Sequence, residues 1–269
     1  MTETTSSDKP HLKLRAFRAI DEPHTCELFV EGHTNVLASI GIKKVTSSKN
    51  EWQYNPAAFV IVVESLDGKR VLGGARVHVS GGSQPLPIEE ATGAMDANIY
   101  NLVWQKAQTG TGEVCGLWNS PDLAGYGIGS PLLIRAGIAI CSQIGLQSLF
   151  ALCAPYTVKP VVNAGMVLIE GIGNNGTFYY PKLDLIATCM ILDNLYDLHL
   201  AKEEDKAAIY QMRDLDKDSR INKLKDKEIL IDLQLRIPNI ENWSLADTIA
   251  RANKSRLEGS VDINKLSIF

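Results

Sequence analysis

Between Glu113 and Ser130 the chain brings together residue types that could do chemistry. Glu113 opens an apolar stretch, Val114-Cys115-Gly116-Leu117-Trp118, that reads as a strand. Asn119-Ser120-Pro121-Asp122 then turns the chain, and Ala124-Gly125-Tyr126-Gly127-Ile128-Gly129-Ser130 leads into an amphipathic helix from about Pro131 to Ile144. Glycines ahead of a helix with proline near its first position let several backbone N–H groups point the same way, which suits an anion, most often phosphate. A carboxylate one strand-length upstream could supply acid–base chemistry beside it. Each feature also has a plainer use. Tight strand-to-helix turns use glycines anyway, Glu113 could end a strand at the surface after Thr111-Gly112, and Trp118 could be a core residue. Asn119 and Ser120 could bond a substrate or only shape the turn. Cys115 shares the face of Glu113 if the strand is regular, and with no histidine near it in sequence it reads as packing.

Around this centre the elements follow from residue patterning. Leu12 to Ile20 alternates as a strand, and Asp21-Glu22-Pro23 signals a helix start, with Gly32 a candidate break before Gly41. Ala57 to Ser65, rich in β-branched residues, turns at Leu66-Asp67-Gly68-Lys69 and returns as Val71 to Val79, a hairpin. Gly73 and Gly74 predict a bulge or a close approach. Residues 84–112 form an insertion with a helical centre at about Met95 to Gln108. After the helix at 131–144, Gln147 to Ala154 is a short buried strand, reached by a parallel crossover. Thr157 to Ala164 reads as a short helix capped by Gly165. Val167 to Glu170 and Asp184 to Leu192 read as a last strand pair. The charged run from Lys202 to Glu228 is helical in pattern, so 201–269 is expected to be a helical extension on a domain spanning 11–200. Residues 1–10 are expected to be disordered. The order predicts a mixed α/β fold with one central sheet.

The chain has 269 residues, 45% of them hydrophobic, enough for one substantial core. A net charge of -4 argues against an electrostatically driven nucleic-acid binder. Leu132 to Ile140 is too short to span a bilayer, and Met1 to Lys9 is too polar for a signal peptide. Cys26, Cys115, Cys141, Cys153 and Cys189 show no CxxC pair, and the five histidines no ligand spacing. A metal-independent protein of a reducing, cytoplasmic compartment is expected.

The strand, glycine loop and helix resemble the Gcn5-related N-acyltransferase (GNAT) superfamily. Its motif there is Gln/Arg-x-x-Gly-x-Gly/Ala, with Ala124 here in the first position and Gly127 and Gly129 matching. Order and spacing from Leu12 to about Leu200 follow the same plan. Leu86-Pro87, the helical insertion and Glu113 further resemble the branch of acyl-homoserine-lactone synthases and N-acyl amino acid synthases, with Gly116 where that branch carries an arginine. The resemblance implies an acyl-CoA N-acyltransferase-like fold, a mixed, mostly antiparallel sheet flanked by helices.

It also implies roles. Ala124, Gly125, Tyr126, Gly127, Ile128, Gly129 and Ser130 would hold the pyrophosphate of acetyl-CoA or a longer acyl-CoA, or the phosphopantetheine of an acyl carrier protein. Leu117 and Trp118 would line the pantetheine, on a strand splayed from its neighbour. Glu113 would deprotonate a small-molecule primary amine. Asn119, Ser120 and Tyr179 are candidates for substrate contact. The tyrosine that often protonates the leaving thiolate in the family is replaced by Val161, with Tyr156 an alternative if the fold brings it round. An enzyme is one expectation. A non-catalytic acyl-CoA sensor, or a fold kept for protein contacts, are the others. Acceptor, acyl length and oligomeric state are not readable from the residues.

Overall fold

The computed structural model describes residues 10–42, 45–46, 49–214, 220–223 and 228–254, and the side chains of 220–223 are not described. The expectation for residues 1–10 falls almost wholly outside these. The chain begins with β1 (His11–Arg18) and α1 (Pro23–Ser39), then the hairpin β2 (Ala58–Ser65) and β3 (Val71–Val79). The insertion holds two helices, α2 (Pro87–Thr92) and α3 (Asn98–Ala107), where one was expected. β4 (Thr111–Asn119) and α4 (Ser130–Ile144) follow, then β5 (Ser148–Cys153) and α5 (Pro155–Asn163). β6 (Val167–Leu168), β7 (Thr177–Tyr179) and β8 (Ile186–Leu192) complete this half, before α6 (Glu203–Arg213), β9 (Arg220–Lys223) and β10 (Glu228–Gln234).

One ten-stranded sheet runs β6-β8-β5-β4-β3-β2-β1-β10-β9, with β7 also on β8. Among the described residues only β4–β5 and β1–β10 pair in parallel. The sheet is therefore mixed and mostly antiparallel, as expected. The expected helical extension is corrected in the described residues of 201–269: beside α6 they hold β10, which joins the main sheet along β1. Ile229, Ile231 and Leu233 alternate into the core at 0%, 0% and 4% exposure, a strand period that the surrounding charges conceal.

Period-two alternation gives the sheet two packed faces. From β2, Phe59, Ile61 and Val63 face the core under α4, while Ala58, Val60 and Val62 face the core under α1. The break expected at Gly32 does not occur. Helix α1 runs on through Gly32, whose missing side chain makes room for the Trp118 ring, 2.0 Å from an ideal Cβ. Gly74 allows a second close approach, with Ile61 O and the Phe29 ring within 3.0 Å of where its Cβ would be. All five cysteines are buried and unbridged.

Candidate active site

The site is built where β4 changes partners. β4 pairs with β5 only from Thr111 to Glu113, opposite Ser148 to Phe150. Beyond that pair β5 continues along β8 as far as Cys153, while β4 stays with β3. The two parallel strands thus splay, and the backbone of β4 past Glu113 has no β5 partner. The β3–β4 register slips between Gly74 and Arg76, and Gly116 takes a φ of +58°. This bulge shifts the side-chain phase by one residue. Glu113 and Cys115 lie on the α1 face, Leu117 packs toward the α4 core, and Trp118 returns to the α1 core.

A cavity of about 430 Å³ fills the splay. His33 and Leu37 of α1 line one end, and Ile134 of α4 and Val161 of α5 the other, so it passes through the sheet. Glu113 lies in its wall. It is 2% exposed, which removes the surface reading of this residue, and its carboxylate accepts the Ile88 N–H at 2.7 Å. Burial pushes its pKa up to about 8 from 4.5, Glu89 and Glu90 add to the rise, and the Ile88 N–H and Arg76 oppose it. Glu89 itself accepts the Leu86 N–H at 2.8 Å and is pushed up to about 7, chiefly by burial.

Helix α2 is what fixes Glu113, since its second residue brings the N–H. That insertion contact is invisible to strand periodicity. Two further buried groups were missed by the sequence reading. Arg76 of β3 is fully buried, with its guanidinium 4.2 Å from the Trp52 ring centroid. His33 is pushed down to about 3 by burial and then by the Arg76 charge, so it is neutral. A charged residue inside the otherwise apolar β3 was the available signal for Arg76.

The remaining expected residues separate by geometry. Tyr156 is on the cavity wall at the start of α5, 69% exposed, so Glu113 and Tyr156 do share one cavity. Val161 is buried in the same wall and offers no proton. Leu117 lines the cavity, whereas Trp118 does not. The Trp118 ring packs edge-on against Phe29 at 5.7 Å because the bulge turns it there, and its backbone pairs with Gly74. Tyr179 points out at 61% exposure, while Tyr180 lines the cavity and bonds Thr46 through its hydroxyl. Asn119 pairs with Gly73 and lies outside the cavity. Ser120 shapes the turn: its N–H donates to Leu72 O at 2.7 Å and its Oγ accepts the Asp122 N–H.

The glycine loop keeps the geometry expected of an anion cradle. Gly125 and Gly127 have φ of +83° and +76°, and Gly129 caps α4 with Pro131 in its first turn. Leu123 and Ile128 anchor the loop in the core, and the Tyr126 N–H returns to Leu123 O. Among the described residues, no backbone carbonyl takes the N–H of Gly127, Ile128 or Gly129. These amides and the start of α4 can accept a phosphate.

The architecture has known counterparts. An N-acyl amino acid synthase from uncultured soil microbes, FeeM, superposes with a TM-score of 0.54 at 13% identity, over 74% of this chain and 98% of its own. The chain has the GNAT fold. Weaker likenesses include a CoA-dependent acyl-homoserine lactone synthase, BjaI, at 12% identity over 90% of this chain and 99% of that one, TM-score 0.49. Spermidine N-acetyltransferase from Vibrio cholerae matches at 16% identity over 67% and 94%, TM-score 0.40. No protein-family profile matches the sequence, and no curated protein is significantly similar to it. Among the described residues no group of side chains could hold a metal ion, and no helix is long and apolar enough to cross a membrane.

Proposed function

We propose that the protein is an N-acyltransferase that moves an acyl group from coenzyme A, or from the phosphopantetheine of a carrier protein, to the primary amine of a small molecule. The observation that carries this reading is the splay of β4 from β5 with buried Glu113 in the wall of the cavity between them. A pantetheine arm can run along the free edge of β4 at Gly116 and Leu117, with its phosphate at the amides of the 125–130 loop. Two loop glycines have the positive φ that a close phosphate approach needs, and the cavity of about 430 Å³ is larger than an acetyl group fills.

The proposed reaction is direct attack in a ternary complex. The amine nitrogen bonds to the thioester carbonyl carbon, and backbone N–H groups of the open strand edge stabilise the oxyanion. Glu113 takes the proton from the attacking nitrogen. The C–S bond then breaks, and the thiolate takes a proton from Tyr156 or from water, since Val161 has none to give. A carboxyl with a pKa near 8 is a strong enough base for this task and is freed for it as pH rises toward that value. Five buried thiols suit a reducing, cytoplasmic setting.

A second reading, a non-catalytic acyl-CoA sensor, is favoured by Val161 and Ala124, where the superfamily carries its acid and its loop Gln or Arg. Thiol release from acetyl-CoA and a long-chain acyl-CoA, measured with a panel of amines, separates the two. An enzyme releases thiol only with an amine present and loses that activity in Glu113→Gln. Ligand-induced thermal stabilisation without thiol release under any condition selects the sensor.

A further inference from the structure

One peptide unit of α2 joins Glu113 to a second residue of the cavity wall. Its N–H is that of Ile88, which donates to the Glu113 carboxylate at 2.7 Å. Its carbonyl is that of Pro87, which accepts the Thr46 hydroxyl at 3.1 Å. Thr46 Oγ1 lies 3.0 Å from the Tyr180 hydroxyl, whose oxygen also accepts the Thr46 N–H. Tyr180 stands in the cavity wall just after β7, and its own N–H is tied to Leu185 O at 2.9 Å.

The direction of this chain is set by what each group can do. A carbonyl only accepts, so the Thr46 hydroxyl gives its one proton to Pro87 O. Thr46 Oγ1 is then the acceptor of the Tyr180 O–H, and every donor points toward Glu113. Hydrogen bonds aligned in this way polarise one another, by about 10–30% per bond. Polarising the Pro87–Ile88 peptide makes its N–H a better donor, and a better donor favours the ionised carboxylate. The Tyr180 proton is engaged with Thr46 rather than offered to a departing thiolate.

We infer that Thr46 and Tyr180 are positioning residues for Glu113, acting through the Pro87–Ile88 peptide to hold α2 on the carboxylate and favour its ionised form. This deepens the acyl-transfer reading and rests on it for what the base does, though not for the bonding that tunes it. The other charged and titratable groups around Glu113 lie outside the chain. Glu89 and Glu90 of α2 push its pKa up and Arg76 of β3 pulls it down, with Glu90 also paired to Lys49 at 2.8 Å. His78 of β3 and His33 of α1 are kept neutral by burial and the Arg76 charge. The thiols Cys115, Cys153 and Cys189, on β4, β5 and β8, are pushed up to about 12 by burial. A change at Thr46 or Tyr180 removes none of these groups.

The test follows Glu113 directly, by 13C titration of side-chain carboxyl resonances in full-length protein, with Glu113→Gln and Glu89→Gln to assign the two signals. Thr46→Val keeps the side-chain shape and loses the hydroxyl, Thr46→Ser keeps the hydroxyl, and Tyr180→Phe removes the outer donor. Thr46→Val should raise the Glu113 midpoint by about 0.2–0.5 pH unit, Tyr180→Phe should move it the same way, and Thr46→Ser should leave it near wild type. In thiol release the rising limb of kcat/KM should move up by the same amount, a loss of roughly two- to threefold at pH 7 that narrows above pH 9. A midpoint unmoved or lowered in both Thr46→Val and Tyr180→Phe, or raised as far by Thr46→Ser as by Thr46→Val, would overturn the inference. So would a rate loss equal at every pH, the mark of a merely structural role. Tm is read for each variant, and if one fails to fold the other decides alone. A midpoint that rises as expected in a protein that releases no thiol keeps the tuning and removes the acyltransferase. Thiol release with an unmoved midpoint keeps the acyltransferase and removes the tuning.

Discussion

Replacing Glu113 by glutamine should make the protein more stable and less active, with a pH signature that follows from its burial. The folded protein holds the Glu113 proton up to about pH 8, whereas an exposed carboxyl releases it near 4.5. Between those values the folded state carries a proton that the unfolded chain has lost, so stability falls as pH rises through the window. Below it both states are protonated and Glu113 costs nothing. Above it the full cost is present, on the order of 5 kcal/mol at about 1.4 kcal/mol per pH unit. At pH 7 most of that cost, roughly 3 kcal/mol, already applies. Glutamine is the same size, keeps an oxygen for the Ile88 N–H, and never ionises. Glu113→Gln should therefore match wild type in stability near pH 4.5 and exceed it by several kcal/mol at pH 8.5, as read from urea midpoints. At pH 7 the gain should appear as a rise in Tm of about 5–10 °C. Glu89 titrates in both proteins and cancels to first order. A stability difference that stays flat from pH 5 to pH 9, or a glutamine variant less stable than wild type at pH 9, would refute the buried-base assignment.

Further outcomes are expected elsewhere in the site. Gly127→Ala puts a side chain at a φ of +76° and should weaken coenzyme A binding in calorimetry at a strain of about 1–2 kcal/mol, whereas Gly129→Ala, whose φ is -148°, should bind nearly as wild type. Tyr156→Phe should leave Tm within about 1 °C, because the residue is 69% exposed, while slowing thiol release roughly tenfold to a hundredfold if its hydroxyl is the acid. Leu37→Trp narrows the large cavity and should lower kcat/KM for decanoyl-CoA more than for acetyl-CoA. Gly116→Ala should lower Tm measurably, since a Cβ there has a φ of +58° and lies 2.6 Å from Arg76 Nη2.

What the sequence made legible was local. Pro131 and the glycines before it announce the loop and helix because a turn, a cap and a helix start depend on neighbours in the chain. The hairpin and the parallel crossover follow for the same reason. What stayed hidden depends on partners far away. Glu113 is buried because α2 arrives over it from the insertion, and β10 enters the sheet because β1, some two hundred residues earlier, offers it a free edge. Trp118 is expected at the ligand, beside Leu117, from the backbone of the splayed strand that the family resemblance implies. One bulge sends that ring into the core, and of the doublet Tyr179-Tyr180 it is Tyr180, not Tyr179, that lies on the cavity wall.

Regular pairing of His78 with Glu113 and of Arg76 with Cys115 sets Glu113 and Arg76 on one face, and the bulge just beyond makes room for the guanidinium there. In the branch that the sequence resembles, an arginine follows the glutamate three residues on, where this chain has Gly116. The structure supplies a guanidinium to the same place from the neighbouring strand, because Arg76 Nη2 and Nε lie 2.6 and 2.8 Å from where a Gly116 Cβ would be. Only a residue without a side chain admits it, and only a bulged strand needs the left-handed conformation that glycine tolerates. The bulge lies just past the last β4–β5 pair, so one glycine marks the open strand edge, turns Leu117 toward the cavity and leaves room for the buried cation beside the base. Any side chain at position 116 would lie where the Arg76 guanidinium now sits. The departure from strand geometry at Gly116 thus lies on the open edge that the proposed donor path uses and leaves room there for the buried Arg76.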